Sequence, residues 1–401
     1  LGSSNFLTVT EKVTVAPGGI FDIENNGSMV QIDNITNEGN ITYKRIASGI
    51  KGGDYVYWSS PVLNQPLNTI YTSPTQGPKY KWNTTLNNGN GVLPNISQGT
   101  WVNANGNTME TGKGYIVRGS NSSNMAATSI NSTFFGVPNN GTIPVTIERG
   151  MYTGIPYAGV NGTQITNLDD NWNLLGNPYP SAIRFTDFMA ANPALEGSIR
   201  VWTHGTLPSN STPNPFYSSF AYNYTSADYI IHNGTGTISG PETYDGYIPA
   251  GQSFFVAMLD GPALSTNANF TNSMRVRNNN AQFFRNAHSD EIQAENENNR
   301  IWLDIVAPNG TMNRTLVGYV EGATYGKDRM FDAYTKTANA MILYSLIDTE
   351  KACIQGRPLP FDPNDVVPLG FKVSTDGIYT IAIAAVDGIF SNNQTIYLRD
   401  K

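Results

Sequence analysis

Short runs of alternating hydrophobic and polar residues recur along most of the chain. This period of two is typical of β-strands with one buried face, and corners rich in Gly, Asn and Pro separate the runs. A convincing helical spacing of apolar residues follows Pro180, in Phe185, Phe188 and Met189. Thr186-Asp187 is placed to cap that helix. The pattern therefore predicts an all-β fold of several domains with one short helix.

The alternation in residues 1–46 is broken by three corners, at 17–19, 25–27 and 37–40. Short strands separated by such corners are typical of the coils of a β-solenoid or of a small sheet. We predict that residues 1–46 are the terminal coils of a β-solenoid, with earlier coils before Leu1.

The next part of the chain contains three phrases twice, in the same order. Each copy has an apolar strand stopped by proline, then a strand around a tryptophan, then an apolar strand led by glycine. The first copy has Tyr55–Pro61, Tyr80–Trp82 and Gly112–Val117, and the second has Trp172–Pro178, Val201–Thr203 and Gly251–Val256. This order predicts duplicated β-sandwich-like modules over residues 47–160 and 161–284, with a chance match of composition as the alternative.

Residues 285–299 are polar and acidic with almost no apolar residue, and we predict a linker there. Alternation returns in residues 300–401. Their first strands are predicted at 301–306, 315–320 and 341–346, with a turn at 308–310. Short strands joined by such turns predict a C-terminal β-sandwich.

The stretch from Val366 to Lys401 is predicted to add three more strands. They are placed at 369–373, 379–383 and 396–399. The first shows the alternation of a half-buried strand, since Leu369, Phe371 and Val373 alternate with small or polar residues. A turn is predicted at 375–377, because glycine adopts positive φ at little cost.

Four phrases near the end of the chain, IQGRPLPF, VPLGFKVSTDGIYTIAI, VDGIF and IYLRDK, resemble the start of a known sorting signal. This is the type C C-terminal sorting signal of the type IX secretion system. Upstream, YVYWSSPV, GKGYIVRG, GVPNNG, WNLLGNPYPSAI, GQSFFV and LVGYV look like recurrent phrases of large surface proteins that carry it. Each phrase alone is a weak signal, whereas their order together is specific.

The residues that carry the sorting-signal match are Leu369, Gly370, Phe371, Gly377, Tyr379, Ile381, Asp387, Gly388, Tyr397, Leu398 and Asp400. The resemblance implies a protein that crosses the periplasm and is displayed outside the cell. It also implies two partners, the outer-membrane translocon and its shuttle protein. The C-terminal β-sandwich would then be a sorting domain with an incomplete signal.

Composition narrows the classes of partner. Only 14% of the residues are charged and the formal net charge is −7, which argues against nucleic acid or anionic lipid as a partner. No apolar run approaches the length of about 18 residues that a membrane-spanning helix needs. The single cysteine, Cys353, rules out an intramolecular disulfide, and we predict a small buried apolar residue there.

The chain shows no catalytic motif with the spacing that its chemistry needs. The stretch from Gly106 to Lys113 is one residue longer than a phosphate-binding loop. The three histidines, at 204, 232 and 288, are too scattered for a zinc site. We therefore predict no enzyme activity and no cofactor. Asp328 and Asp332 are weak calcium candidates, because calcium takes oxygen ligands from turns, and the alternative is a solvated acidic turn.

Aromatic residues near Ser and Asn suit carbohydrate, because sugar rings stack on aromatic faces while amides bond hydroxyl groups. The best candidates for a surface glycan are Tyr217, Tyr222, Tyr224 and Tyr229. Four tryptophans within apolar strands are instead predicted to be core residues. They are Trp58, Trp82, Trp172 and Trp202.

These observations favour an exported cell-surface structural protein or adhesin. The alternative is a carbohydrate-binding accessory region of a surface polysaccharide system. A glycoside hydrolase comes third. Such an enzyme needs two carboxylates that face each other across a cleft, and acidic residues in turns are the commoner explanation for the acids of this chain. The candidate acids are Asp169, Asp170, Asp228, Asp245 and Asp260.

Overall fold

The structure is a computed structural model of the 401-residue chain. It describes residues 1–51, 53–71, 77–85, 99–119, 126–150, 155–158, 164–166, 169–203, 228–238, 244–281, 299–335, 341–392 and 394–400. The chain divides into two compact units. Unit 1 contains Leu1–Leu195, Ile199–Ile230 and Thr243–Ala287, and unit 2 contains Glu196–Ser198, Ile231–Glu242 and His288–Lys401.

The regular structure is almost entirely β-strand, so the predicted all-β fold is confirmed. In chain order the elements are β1 (Phe6–Val9), β2 (Asp22–Ile23), β3 (Ser28–Gln31), β4 (Ile41–Ile50), β5 (Tyr55–Trp58), β6 (Lys79–Asn83), β7 (Thr100–Asn103), β8 (Tyr115–Arg118), β9 (Thr128–Gly136), β10 (Ile143–Glu148), β11 (Tyr157–Ala158), β12 (Gln164–Ile165), β13 (Trp172–Gly176), β14 (Ala182–Arg184), α1 (Phe185–Ala191), β15 (Ile199–Trp202), β16 (Tyr229–His232), β17 (Thr237–Ile238), β18 (Tyr247–Ile248), β19 (Ser253–Ala257), β20 (Ser265–Phe270), β21 (Arg275–Val276), β22 (Asn299–Val306), β23 (Met312–Val320), β24 (Ala333–Tyr334), β25 (Met341–Ile347), β26 (Glu350–Pro358), β27 (Leu369–Val373) and β28 (Thr380–Val386). Short 3₁₀ turns are formed by Leu67–Thr69, Asn272–Met274 and Gly388–Asn392.

Helix α1 lies where the spacing predicts it, and it buries Phe185, Phe188 and Met189. The predicted cap is wrong. Arg184 is the N-cap residue and makes no side-chain capping bond. Thr186-Asp187 falls inside the first turn instead, where the Asp carboxylate still interacts favourably with the positive end of the helix dipole.

The first 46 residues pair as two successive coils. β1 pairs parallel with β3, Thr14 with Glu38, and β2 with the start of β4. The paired residues lie 20 to 24 positions apart in the sequence. Parallel pairing at a nearly constant spacing is the pattern of stacked solenoid coils. β4 then pairs antiparallel with β9, which joins the coils to the first module.

Buried Arg275 ties the second coil to the second module. Its guanidinium donates to Met29 O, to Asn140 Oδ1 at 2.9 Å and to Asn272 Oδ1 at 3.0 Å. It also lies over the ring of Tyr179, 4.7 Å from the ring centroid. Burial lowers the pKa of Arg275 to about 9. Neutral acceptors satisfy its N–H groups, which makes burial of this side chain tolerable.

The two modules of unit 1 have the same strand order. The first sheet runs β5-β8-β6-β7, and the second runs β13-β19-β15-β16 up to Ile230. Beside them, β4 pairs antiparallel with β9, and β10 pairs antiparallel with β20. The duplication is therefore confirmed in strand order. It begins at β4 and β10, earlier than the repeated phrases place it, because these first strands share no readable phrase.

Equivalent residues also hold equivalent registers. In the first module Trp58 lies opposite Tyr115, and in the second module Leu175 lies opposite Phe254 in the same way. Likewise, Tyr80 lies opposite Ile116 in the first module and Arg200 lies opposite Phe255 in the second. Counting along each strand from these pairs makes Trp82 equivalent to Trp202. It also makes Lys113 equivalent to Gln252.

Contacts between the modules are reciprocal. The indole Nε1 of Trp82 donates to Trp172 O at 2.8 Å. The indole Nε1 of Trp202 donates to Tyr55 O at 3.1 Å, and Tyr55 is the equivalent of Trp172. Each tryptophan thus reaches the first strand of the opposite module.

The backbone repeats this reciprocity. Ser59 N–H donates to Gly251 O at 2.8 Å, and its equivalent Gly176 N–H donates to Gly112 O at 2.9 Å. Reciprocal contacts between equivalent residues are the mark of a self-complementary two-fold interface. The modules are therefore related by a pseudo-two-fold axis within one chain.

Aromatic side chains fill the core between the modules. Tyr57 stacks on Trp202 with ring centroids 5.4 Å apart, and its hydroxyl lies 2.7 Å from that of Tyr229. Phe255 meets Trp101 and Trp82 edge to face. Of the four tryptophans predicted to be core, Trp58, Trp172 and Trp202 are buried. The fourth, at position 82, is half-buried.

Unit 2 is built on one sheet with the order β27-β25-β26-β23-β22-β28, and β24 pairs with β26. β22 and β23 form the predicted hairpin, with positive φ at Gly310 in its turn. β27 and β28 lie on opposite edges, although only residues 374–379 connect them. Five interstrand spacings of a flat sheet span about 24 Å, and only a fully extended connection, of about 25 Å, would reach that far. Because bends at residues 374, 375 and 377 shorten the connection, the sheet curls and brings its two edges closer together.

A short hairpin, Ile231–Ile238, covers part of this sheet. Trp302 Nε1 donates to Thr237 O at 2.8 Å, and Ile238 packs with Trp302, Leu316 and Ile354. Cys353 is 5% exposed in the same cluster, as predicted. The hairpin comes from the sequence region assigned to the second module, so unit 2 is not continuous in the sequence.

His232 of this hairpin lies in strand β16 and is buried. Its Nδ1 lies 2.8 Å from Thr237 Oγ1. Burial, helped by the nearby positive charge of Arg300, lowers the pKa of His232 to about 3.

Candidate functional site

The predicted sorting segment occupies both edges of the unit 2 sheet. β27 pairs with β25 on one edge and β28 pairs with β22 on the other. Both strands lie where the alternation predicts them. The third predicted strand is wrong, because residues 394–400 form no regular structure. Tyr397 and Leu398 are 86% and 67% exposed there, and Asp400 is exposed as well.

Apolar side chains of this segment face solvent. Phe371 is 55% exposed, Ile378 86% and Ile383 53%. Val366 and Ile396 are exposed as well. Leu343, the cross-strand neighbour of Phe371, is only 1% exposed. Alternation predicts the strands but not their burial, because an edge strand is buried only where another element lies over it.

Several matched residues of the segment have local structural roles. A Cβ at Gly370 would lie 2.6 Å from a ring carbon of Tyr344, its cross-strand neighbour, so any larger residue there would force this ring to move. Asp387 accepts the backbone N–H and the Nε–H of Arg300, each at 2.7 Å. Gly388 follows with a φ of 59°.

The remaining matched residues lie in or beside the two strands. Tyr379 donates its hydroxyl to Thr375 O at 2.7 Å, which closes the turn that contains Gly377. Leu369 and Ile381 are half-buried. The structure thus places these matched residues on the sheet edges and their connection, whereas Tyr397, Leu398 and Asp400 lie beyond the last strand.

Asp328 and Asp332 are used as backbone acceptors. Asp332 accepts from Gly356 N–H at 3.0 Å and from Asp328 N–H at 2.6 Å, while Asp328 accepts from Thr324 N–H. Burial raises the pKa of Asp332 to about 6. In the described ranges, no three His, Cys, Asp or Glu side chains come together as a metal site would require. The two carboxylates therefore act as caps of an acidic turn.

Of the four tyrosines suggested for sugar binding, Tyr229 is 4% exposed in the aromatic core, where its ring faces are covered. Tyr217, Tyr222 and Tyr224 lie outside the described residues. Sugar binding by those three stays a prediction.

Three of the acids considered for glycoside hydrolysis are held by neighbours. Asp169 accepts from Thr166, Asp260 lies 3.5 Å from the Arg149 guanidinium, and Asp245 accepts from Tyr247 N–H at 3.2 Å. Asp170 and Asp228 are buried. These contacts give the five acids roles in turns, ion pairs and the core.

A cleft of about 180 Å³ lies in unit 1, on the first-module side of the pseudo-two-fold axis. Strand β6, the glycine-led loop before β8, the end of β10 and strand β13 line it. Trp82 and Leu174 form its apolar wall. Its charged groups are Lys81, Glu110, Lys113 and Glu148.

The charges in the cleft balance one another. Lys81 Nζ lies 3.0 Å from Glu110 Oε1, and Lys113 Nζ donates to Thr146 O. Burial lowers the pKa of Lys113, and the two glutamates oppose that shift only in part. Among the described residues, the Glu148 carboxylate accepts no hydrogen bond and forms no ion pair within 4 Å, although its charge acts on Lys113. The cleft thus presents two cations and two anions, and the Glu148 oxygens are open to a hydrogen-bond donor.

Asn173 fixes the backbone that carries Glu148. Its Oδ1 accepts Glu148 N–H at 2.8 Å, and its Nδ2 donates to Glu148 O at 2.7 Å. The side chain of Glu148 can therefore interact with a ligand while its backbone stays in place.

No sequence pattern taken alone indicates this cleft. Lys113 stands out in the sequence only as the end of a stretch that fails as a phosphate-binding loop. The signal that could have found it is the alignment of the two copies, in which Lys81 and Lys113 stand where the second copy has Val201 and Gln252. A charge in one copy at a position that is uncharged in the other marks a place where the copies differ in role.

The fold and its cleft define an all-β protein with two solenoid-like coils, a duplicated module with pseudo-two-fold symmetry and a second unit with a curled sheet. The chain belongs to the family described as a domain of unknown function (DUF8693), whose family model matches residues 1–401. No curated protein and no solved structure matches the sequence. Among the described residues, no helix has the length and apolar character needed to cross a membrane.

Proposed function

We propose that this protein is an exported cell-surface structural protein or adhesin whose C-terminal segment is recognised by the type IX secretion machinery. The observation that carries the proposal is the set of exposed apolar side chains on residues 366–398 of unit 2. It coincides with the stretch that resembles the sorting signal. The partners would be the outer-membrane translocon and its shuttle protein, and the protein would act outside the cell.

Exposed apolar side chains on strands that have no second partner strand among the described residues support recognition by another protein. Clustered apolar residues on a surface mark interaction sites, and an unpaired strand edge can take up a partner strand through backbone hydrogen bonds. Phe371 and Ile383 lie on the two edge strands, β27 and β28. Both features belong to the segment whose sequence suggests a sorting role.

The body of the protein suits a structural or adhesive role. Its two modules share an aromatic core, and its coils are tied to the second module by Arg275. Such extensive burial gives a stiff scaffold. Neither catalysis nor a cofactor is part of the proposal.

The test uses the full-length protein, expressed in a bacterium that has this secretion system. Antibody labelling of intact cells measures surface delivery. Removing the translocon, or deleting the residues after Asp365, should abolish it. Because that deletion removes two strands of unit 2, the sharper variant is Phe371→Ser with Ile383→Ser, which leaves the sheet in place and should reduce delivery several-fold.

The matched control is Phe135→Ser, since Phe135 is 59% exposed on β9 of unit 1. This variant should be delivered like the unchanged protein. Delivery that persists without the translocon, or that falls equally in the control, would contradict the proposal.

A further inference from the structure

Equivalent positions on the two sides of the pseudo-two-fold axis carry different side chains. In the second module, Val201 is 2% exposed and Gln252 is 1% exposed. The equivalent residues of the first module are Lys81 and Lys113, and both line the cleft. Partial burial of a charge costs free energy unless something compensates it. Glu110 and Thr146 O compensate these charges only in part, since burial still lowers the pKa of Lys113. A ligand that uses the two lysines would account for charged side chains at positions that are uncharged core in the other copy.

The charge pattern of the cleft restricts the ligand. Lys81 and Lys113 supply N–H donors, and Glu110 and Glu148 supply carboxylate acceptors. An anion would meet two carboxylates there, and a cation would meet two ammonium groups. A neutral ligand with several hydroxyl groups can instead donate to the glutamates and accept from the lysines.

The size and the wall of the cleft agree with a sugar ring. Its volume of about 180 Å³ corresponds to about six water molecules, which is enough for one pyranose. Trp82 and Leu174 provide an apolar surface for the C–H face of such a ring, as aromatic side chains do in sugar sites. The indole N–H of Trp82 is already engaged by Trp172 O, so the wall cannot rotate freely.

We infer that this cleft binds one neutral hexose unit of a glycan. Glu148 and Lys113 would bond its hydroxyl groups, and Trp82 would pack against its ring. The inference concerns unit 1 and does not depend on the export proposal. It also differs from the tyrosine cluster suggested by the sequence, because it places the sugar at the junction of the two modules.

The test is a ligand-observed NMR titration of the purified full chain with the methyl glycosides of glucose, galactose and mannose. At least one should bind saturably with a Kd on the order of 1 mM, as small ligands of this size do. Glu148→Gln should weaken that binding at least tenfold. Its carboxylate accepts no hydrogen bond from the described residues and acts on Lys113 only through its charge, so the melting temperature should change little.

Glu321→Gln is the matched control, because it makes the same change at an exposed residue of unit 2. It should bind like the unchanged protein. Orthophosphate and glycine, titrated in parallel, test an anion and a zwitterion in place of the sugar. The inference is overturned if no glycoside binds saturably, if binding persists in Glu148→Gln, or if only orthophosphate or glycine competes for the cleft.

Discussion

Trp82 and Trp202 hold equivalent places in two copies of one sheet, and each donates its indole N–H to the opposite copy. Their surroundings differ. Trp202 is 1% exposed and stacks on Tyr57, whereas Trp82 is half-buried beside four charged side chains. The region around Trp202 is therefore part of the buried core, whereas the equivalent region around Trp82 forms a cleft open to solvent.

The difference shows which parts of a duplicated fold can diverge. Strand register is preserved because a slip of one residue would turn every side chain to the opposite face. The side chains at one end of the interface can change, because the backbone pairs and the shared aromatic core already hold the modules together. A binding site can therefore arise on one side of the axis without loss of the fold.

The largest expected effect on stability comes from removing Trp202, the tryptophan buried in the core on the closed side. Trp202→Ala should lower the free energy of unfolding by about 3–5 kcal/mol, the range for a large aromatic side chain removed from a core. Trp82→Ala should cost clearly less, about 2–3 kcal/mol, because part of its ring is already solvated. Urea denaturation of the full chain measures both. Equal losses would break the comparison between a closed and an open side.

A smaller effect is expected when only the reciprocal hydrogen bonds are removed. Trp202→Phe and Trp82→Phe keep an aromatic ring but remove the indole N–H donor. Trp202→Phe should cost about 1–3 kcal/mol. Trp82→Phe should cost less, because the Thr84 hydroxyl also donates to Trp172 O, at 2.7 Å, and equal losses in the two variants would contradict this difference. Denaturation in urea again gives the values.

A still smaller change is expected when the open side is given the residues of the closed side. The double variant Lys81→Val with Lys113→Gln should leave stability unchanged or raise it by up to about 1 kcal/mol, because partly buried charges are replaced by uncharged groups. The same variant should lose glycoside binding. Thermal unfolding and the NMR titration test the two statements separately, and a loss above about 2 kcal/mol would show that the lysines stabilise the fold.

The smallest effect concerns pH. The pKa of Lys113 is lowered in the folded protein from its ordinary 10.5. Between the lowered value and 10.5 the unfolded chain holds more protons than the folded one, so stability rises with pH in that window. Lys113→Gln lacks this contribution. Urea denaturation from neutral pH to pH 10.5 should therefore show the unfolding free energy of the unchanged protein rising relative to that of the variant, and a constant difference would contradict the assignment.

Local patterns in the sequence were enough to predict several features of the fold. Alternation located β27 and β28, helical spacing located α1, and the turn at Gly310 located the β22–β23 hairpin. The repeated phrases predicted the duplicated sheets. These features are set by which neighbouring residues are apolar, and a period of two or of 3.6 residues carries that information directly.

The sequence alone determined the all-β class, the two copies and the core positions of most tryptophans. The tertiary structure decided that β27 and β28 lie on opposite edges of a curled sheet and that residues 231–242 belong to unit 2. It also decided that Lys81, Glu148 and Asn173 meet at one cleft. The physical reason is that strand pairing and clefts depend on free edges and on contacts between residues far apart in the chain, and the local pattern of hydrophobic and polar positions does not specify which distant edge a strand will join.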